Sequence, residues 1–139
     1  MLKVIAVGKI APHFKEAQEF YRLRIEKFTN FEIIEVKKQK TKKEEGNLLL
    51  KKSKGFTIAL DERGKELNSI QFSKLIEKHP NLSFLIGGAD GLSESVKKEA
   101  DMVLSLSKLT MQHDVARIVL LEQIYRGFQI IRNTPYHRE

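Results

Sequence analysis

Phe84-Leu85-Ile86-Gly87-Gly88-Ala89-Asp90-Gly91 decides the fold: a short, wholly apolar run that breaks at a pair of glycines. A run of this length bounded by turn residues predicts a buried strand. Glycine after it lets backbone N–H groups approach a ligand closely, because no side chain intervenes. Working outward, Leu104-Ser105-Leu106-Ser107-Lys108-Leu109-Thr110-Met111-Gln112-His113 reads as a second strand ending in small polar residues, a possible second wall of one pocket. A long helix carrying Glu122-Gln123-Ile124-Tyr125-Arg126 follows, and the chain closes on Pro135-Tyr136-His137-Arg138-Glu139.

Toward the N-terminus the pattern repeats. Residues 2–7 predict a buried strand, and Pro12 suits a first helical turn. Phe14, Ala17, Tyr21, Ile25 and Phe28 then share one helical face. Phe31–Val36 reads as a second strand, and the lysine-rich stretch with Leu48–Leu50 as a helix. Phe56–Leu60 reads as a third strand, ended by the turn signal Asp61-Glu62-Arg63-Gly64. Asn68 and Gln71 form a capping pair for a helix that ends before Pro80. Leu82–Ile86 is the fourth strand, Ser93–Ala100 a short helix and Met102–Leu106 the fifth strand. The last helix is expected from Asp114, as its N-cap, to about Arg132. Strands alternating with helices imply an α/β fold, a mostly parallel sheet with helices on both faces. No repeat or linker divides residues 1–139, so one domain is expected.

These stretches, in this order, resemble the ribosomal RNA large subunit methyltransferase H family. Its members are SPOUT-class enzymes that methylate N3 of a pseudouridine in 23S rRNA. The resemblance opens with Lys3-Val4-Ile5-Ala6-Val7-Gly8-Lys9 and continues through Leu60-Asp61 and the Ile86-Gly87-Gly88 turn. It includes the Ser-Leu-Ser-x-x-Thr run and the Glu-Gln-x-Tyr-Arg helix, and closes with Tyr136-His137-Arg138. Gln112 stands where the family commonly has proline, and the lysine-rich middle, residues 37–54, is shorter than usual. The resemblance implies a C-terminal trefoil knot, a homodimer and S-adenosylmethionine as cofactor. It places that cofactor between Leu60, Gly88 and the run Ser107, Lys108, Leu109, Thr110, Met111 and Gln112. Backbone groups would bond the adenine edge while apolar side chains hold its faces.

The net charge is +7, and the excess gathers at Lys37, Lys38, Lys40, Lys42, Lys43, Lys51, Lys52 and Lys54 against Glu44 and Glu45. By itself this is most often a solvated surface; beside the resemblance it marks an RNA-binding face, with Lys40, Lys42 and Lys43 as contacts. The closing Tyr136, His137 and Arg138 suit stacking on a base and gripping phosphate, and the alternative is a tail docked on its own domain through Tyr136. His137 is the candidate to assist loss of the N3 proton, with Arg138 stabilising negative charge or binding phosphate. His113 is more simply a capping or packing residue than a base, and Glu122 and Arg126 can pair across one helical turn.

The chain has no cysteine, which removes thiol nucleophiles, cysteine-built zinc sites and disulfides. A methyltransferase without cysteine has no cysteine-adduct route to carbon and must deliver to a nucleophilic heteroatom. No Asp/Glu/His cluster suggests a metal. No apolar run approaches a membrane span, and Met1–Gly8 is too short for a signal core, so a cytoplasmic enzyme of rRNA processing is expected, acting on the assembled ribosome. Two rivals stand beside it: a non-enzymatic RNA-binding or ribosome-assembly module, and a nucleotide-binding regulator with a different adenine ligand.

Overall fold

The computed structural model describes residues 1–138. Strands β1 (Leu2–Val7), β2 (Phe31–Val36), β3 (Phe56–Glu66), β4 (Leu82–Ile86) and β5 (Met102–Ser105) form one sheet in the order β2-β1-β4-β3-β5. Every pairing is parallel. Helices α1 (Lys15–Ile25), α2 (Lys42–Lys52), α3 (Ser69–Lys78), α4 (Glu94–Glu99) and α5 (His113–Ile131) connect and cover it.

Strand alternation divides the core in two. Leu2, Val4 and Ala6 of β1 and Leu82, Phe84 and Ile86 of β4 point to one face, where they meet Ile25 of α1, Phe72 and Ile76 of α3, and Leu120, Leu121 and Ile124 of α5. Ile5, Val7 and Leu85 point to the other, against Leu49 of α2 and Val96 of α4. All five β4 residues are buried because the strand is central and covered on both sides. The helix face expected over residues 14–28 is used at Tyr21, Ile25 and Phe28, and Phe28 stacks on Phe128 of α5 at 5.3 Å. The capping pair at Asn68 and Gln71 forms in both directions.

Two local expectations need correcting. Residues 61–64 do not end β3. The strand continues to Glu66, with Leu60 and Lys65 both opposite Leu104, so the four residues between them bulge from a ladder that resumes. Gly64 permits this, since a Cβ there would lie 2.7 Å from the Val103 carbonyl. Asp114 is not the N-cap of α5. Gln112 is: its Oε1 accepts from the N–H groups of Asp114 (3.0 Å) and Val115 (3.1 Å). A proline at that position has no side-chain acceptor, so the departure at Gln112 gives α5 a cap of its own.

Ile124 is fully buried where α5 meets α3 and the sheet. Ile124→Ala is expected to lower unfolding free energy by about 2–5 kcal/mol, as for other buried aliphatic truncations. Chemical denaturation at constant m-value checks it.

Candidate active site

In a parallel sheet the carboxyl ends of the strands lie at one edge, and their loops enclose a crevice there. Here the loops after β4 and β5 and the bulge of β3 surround a cleft of about 710 Å³. Leu60, Gly88, Ser107, Leu109, Thr110, Met111 and Gln112 all line it, although they come from three separate stretches of sequence. Lys108 does not; it points to solvent, 3.6 Å from Glu66. His113 and Ala116, in the first turn of α5, complete one wall.

The glycine turn is built for close backbone packing. Gly91 has φ +76° and its N–H donates to the Gly88 carbonyl at 3.0 Å. A Cβ at Gly87 would lie 2.5 Å from the Gly91 carbonyl carbon, so only glycine fits there. At Gly88 a Cβ would make ordinary contact with Val7 at 3.4 Å. The fold therefore requires Gly87, whereas Gly88 is free of that demand and faces the cleft.

The β3 bulge carries charges that tie the cleft together. Thr110 Oγ1 donates to Glu62 at 2.6 Å, clasping the loop after β5. Lys97 Nζ of α4 bonds Asp61 at 2.8 Å and lies 3.0 Å from Glu94. Burial pushes the Asp61 carboxyl up, but the bonds from Lys97 and the Arg63 N–H outweigh it and hold its pKa below the usual value. The Asp61 partner in turn raises the Lys97 ammonium. Neither this pair nor the Thr110 clasp was legible in the sequence, because both depend on residues 61–64 staying beside β5.

Of the lysines expected to contact RNA, Lys42 opens α2 and lines the cleft, whereas Lys40 and Lys43 are exposed near it in sequence. The C-terminal tail lies on α5. Tyr136 Oη donates to Glu122 at 2.8 Å, its ring meets Tyr125 edge-on at 4.9 Å, and the Arg126 guanidinium sits 4.8 Å from its centroid. Glu122 and Arg126 pair as their spacing suggests, at 2.8 Å. His137 Nδ1 is 3.1 Å from Arg126 and lines a second hollow of about 380 Å³, which shares Leu106 with the cleft. Arg138 is exposed. Within one protomer the structure thus docks Tyr136 and keeps the tail outside the cleft lining.

Among the described residues no group of three or more His, Asp or Glu is arranged to hold a metal, and no helix is long and apolar enough to cross a membrane.

Comparison with known proteins decides the family. Residues 1–137 match the family described as "Predicted SPOUT methyltransferase". The chain belongs to the SPOUT methyltransferases. Its SPOUT relatives include the ribosomal RNA large subunit methyltransferase H of Syntrophotalea carbinolica, 39% identical over 150 residues and covering 96% of each chain. Another, of the same name, comes from Clostridium botulinum strain Kyoto, 42% identical with 99% of each chain covered. Among solved structures, the SpoU methyltransferase AviRb of Streptomyces viridochromogenes, in complex with the cofactor AdoMet, superposes with a TM-score of 0.56 at 13% identity. The match covers 92% of this chain and 58% of that one, and it supports the SPOUT fold alone.

The docked tail has a pH signature. Burial first, then the hydrogen bond to Glu122, raises the Tyr136 phenol to about 12. A raised pKa means the protonated phenol is favoured in the docked state, so docking is intact below the ordinary tyrosine value of about 10 and is lost as pH rises through about 12. Tyrosine ring resonances followed by NMR should show Tyr136 titrating in that window, and earlier in Glu122→Gln.

Proposed function

We propose that the protein transfers the methyl group of S-adenosylmethionine to N3 of a pseudouridine in 23S rRNA, within the assembled ribosome. Membership of the SPOUT methyltransferases gives the reaction class, and the relatives' names give large-subunit rRNA. The observation that carries the reading is the convergence of Leu60, Gly88, Ser107 and residues 109–112 on one cleft. Its volume suits a cofactor of this size, and its lining fits the molecule. Leu60, Leu106 and Met111 provide apolar walls for a flat purine, while the glycine turn leaves backbone groups accessible. A purely RNA-binding module would have no use for such a cleft.

When bound, S-adenosylmethionine supplies an electrophilic methyl on a sulfonium. The chain's residues align N3 with it at short range and in line. N3 must lose its proton, and His137 assists that loss while Arg138 stabilises the negative charge or holds a phosphate. In one protomer His137 sits beside the cleft, in a hollow that shares Leu106 with it. A homodimer, in which the tail of one copy serves the cleft of the other, accounts for that separation. Leu109, 77% exposed on the cleft loop, is apolar surface of the kind such a contact covers. The C-terminal trefoil knot, a single domain and a cytoplasmic location complete the proposal. Tyr136 and Arg138, with Lys40, Lys42 and Lys43, contact the RNA.

Calorimetric titration tests the cofactor site. S-adenosylmethionine should bind and ATP should not. Gly88→Val, whose side chain would press on Val7 and Glu45, should weaken the cofactor more than about tenfold, over 1.4 kcal/mol, in protein whose thermal unfolding shows the fold intact. Unchanged affinity in that variant contradicts the site.

A further inference from the structure

We infer that Lys9, on the loop between β1 and α1, is an RNA phosphate-binding residue that seats the substrate beside the cleft. The inference rests on the rRNA methyltransferase reading and names a contact outside the lysine-rich segment.

The argument begins with Arg117. It is 1% exposed, inside a helix turn otherwise rich in aliphatic residues. A buried guanidinium is costly to desolvate, and apolar residues of similar volume often serve stability better. What Arg117 does there is specific. Its Nη1 donates to Glu35 (2.6 Å) and Gln18 (3.0 Å), and its Nη2 to the Gly8 carbonyl (3.3 Å). The same Glu35 oxygen accepts the Ile10 N–H at 2.9 Å, and Asp114, also buried, accepts the Ala11 N–H at 3.0 Å. The Gly8 N–H donates to Val36 at 2.8 Å, and Gly8 takes φ +84°. Residues 8–11 are therefore held on both sides by side chains from β2 and α5.

Of these four residues only Lys9 is exposed. Among the described residues it forms no ion pair, whereas Lys97 and Lys108 each approach a carboxylate. A rigid loop that displays one unneutralised cation is preorganised for an anion, since the loop's ordering cost is met before binding.

Topology supplies the direction. β1 lies between β2 and β4, so Lys9 leaves the sheet between Lys37 and Lys38, which follow β2, and the glycine turn after β4. Val7 and Gly88 are in near contact across that boundary. Lys42 lines the cleft itself. Lys37, Lys38, Lys9 and Lys42 thus form a basic rim along the carboxyl edge of the sheet that leads to the cofactor wall. Polyanion binding along it follows from phosphate charge, and a strand lying on it would place a base at the cleft.

The test uses full-length Lys9→Ala, Lys9→Glu and Lys9→Arg with purified ribosomes lacking the modification. Ribosome binding and methyl transfer are measured across a salt series, and S-adenosylmethionine affinity is measured separately. For Lys9→Ala, KM for ribosomes should rise roughly five- to tenfold, with kcat and cofactor affinity unchanged. The slope of log affinity against log salt should become shallower by about one. Lys9→Glu should lose more, and Lys9→Arg should stay near wild type. An unchanged KM and salt slope in Lys9→Ala overturns the inference, as does an equal loss of cofactor affinity. Wild-type protein that binds ribosomes through Lys9 yet transfers no methyl group contradicts the methyltransferase reading and leaves this one standing.

Discussion

The ion pair between the buried Arg117 and the partly exposed Glu35 holds the working end of the molecule together. It joins the first turns of α5 to the end of β2 and, through Gly8, to the end of β1. That turn also carries His113 and Ala116 of the cleft wall, and the loop before it contributes residues 106, 107 and 109–112. A shift of α5 would therefore move a cleft wall and the β1 loop together. Such a pair is poor value for stability alone, because the Arg117 guanidinium loses its water. Its consequence is a defined geometry at the strand ends, where binding requires preorganisation.

The β3 bulge is the second constraint. A turn after Leu60 would have carried Asp61 and Glu62 away from β5. Because the chain instead resumes pairing at Lys65, the two carboxylates remain at the cleft and engage Lys97 and Thr110. A parallel sheet with conventional loops thus acquires a tied pocket, one side fixed by α4 and another by the loop after β5. The cleft proposed for the cofactor and the rim proposed for RNA share the carboxyl edge, an arrangement that brings the two proposed sites together over β4.

Much of this was legible in sequence. The short β-branched run Leu2–Val7 and the unbroken burial of Leu82–Ile86 announce strands, because coverage on both faces leaves a direct mark on residue type. Asn68 and Gln71 announced a helix start through a reciprocal hydrogen bond that needs only local spacing. The misreadings share one cause, which is tertiary contact. Asp61–Gly64 has turn composition, and only the approach of Val103 to Gly64 reveals a bulge. Asp114 looks like a cap, yet its carboxylate is taken by Ala11, so Gln112 caps instead. A tail docked through Tyr136 was one of two readings its composition left open, and its partner Glu122, fourteen residues away, was the part that composition did not reveal. Arg117, a charge set among Val115, Ile118 and Leu120, was the available signal for the buried network.

The central claim is that a SPOUT cleft at the carboxyl edge of this sheet delivers a methyl group to large-subunit rRNA. The most direct measurement is transfer of labelled methyl from S-adenosylmethionine to ribosomes lacking the modification, followed by mass spectrometry of the nucleosides. The account predicts one labelled product, N3-methylpseudouridine, confined to 23S rRNA. Absence of label from rRNA, in protein that still binds the cofactor, would contradict it.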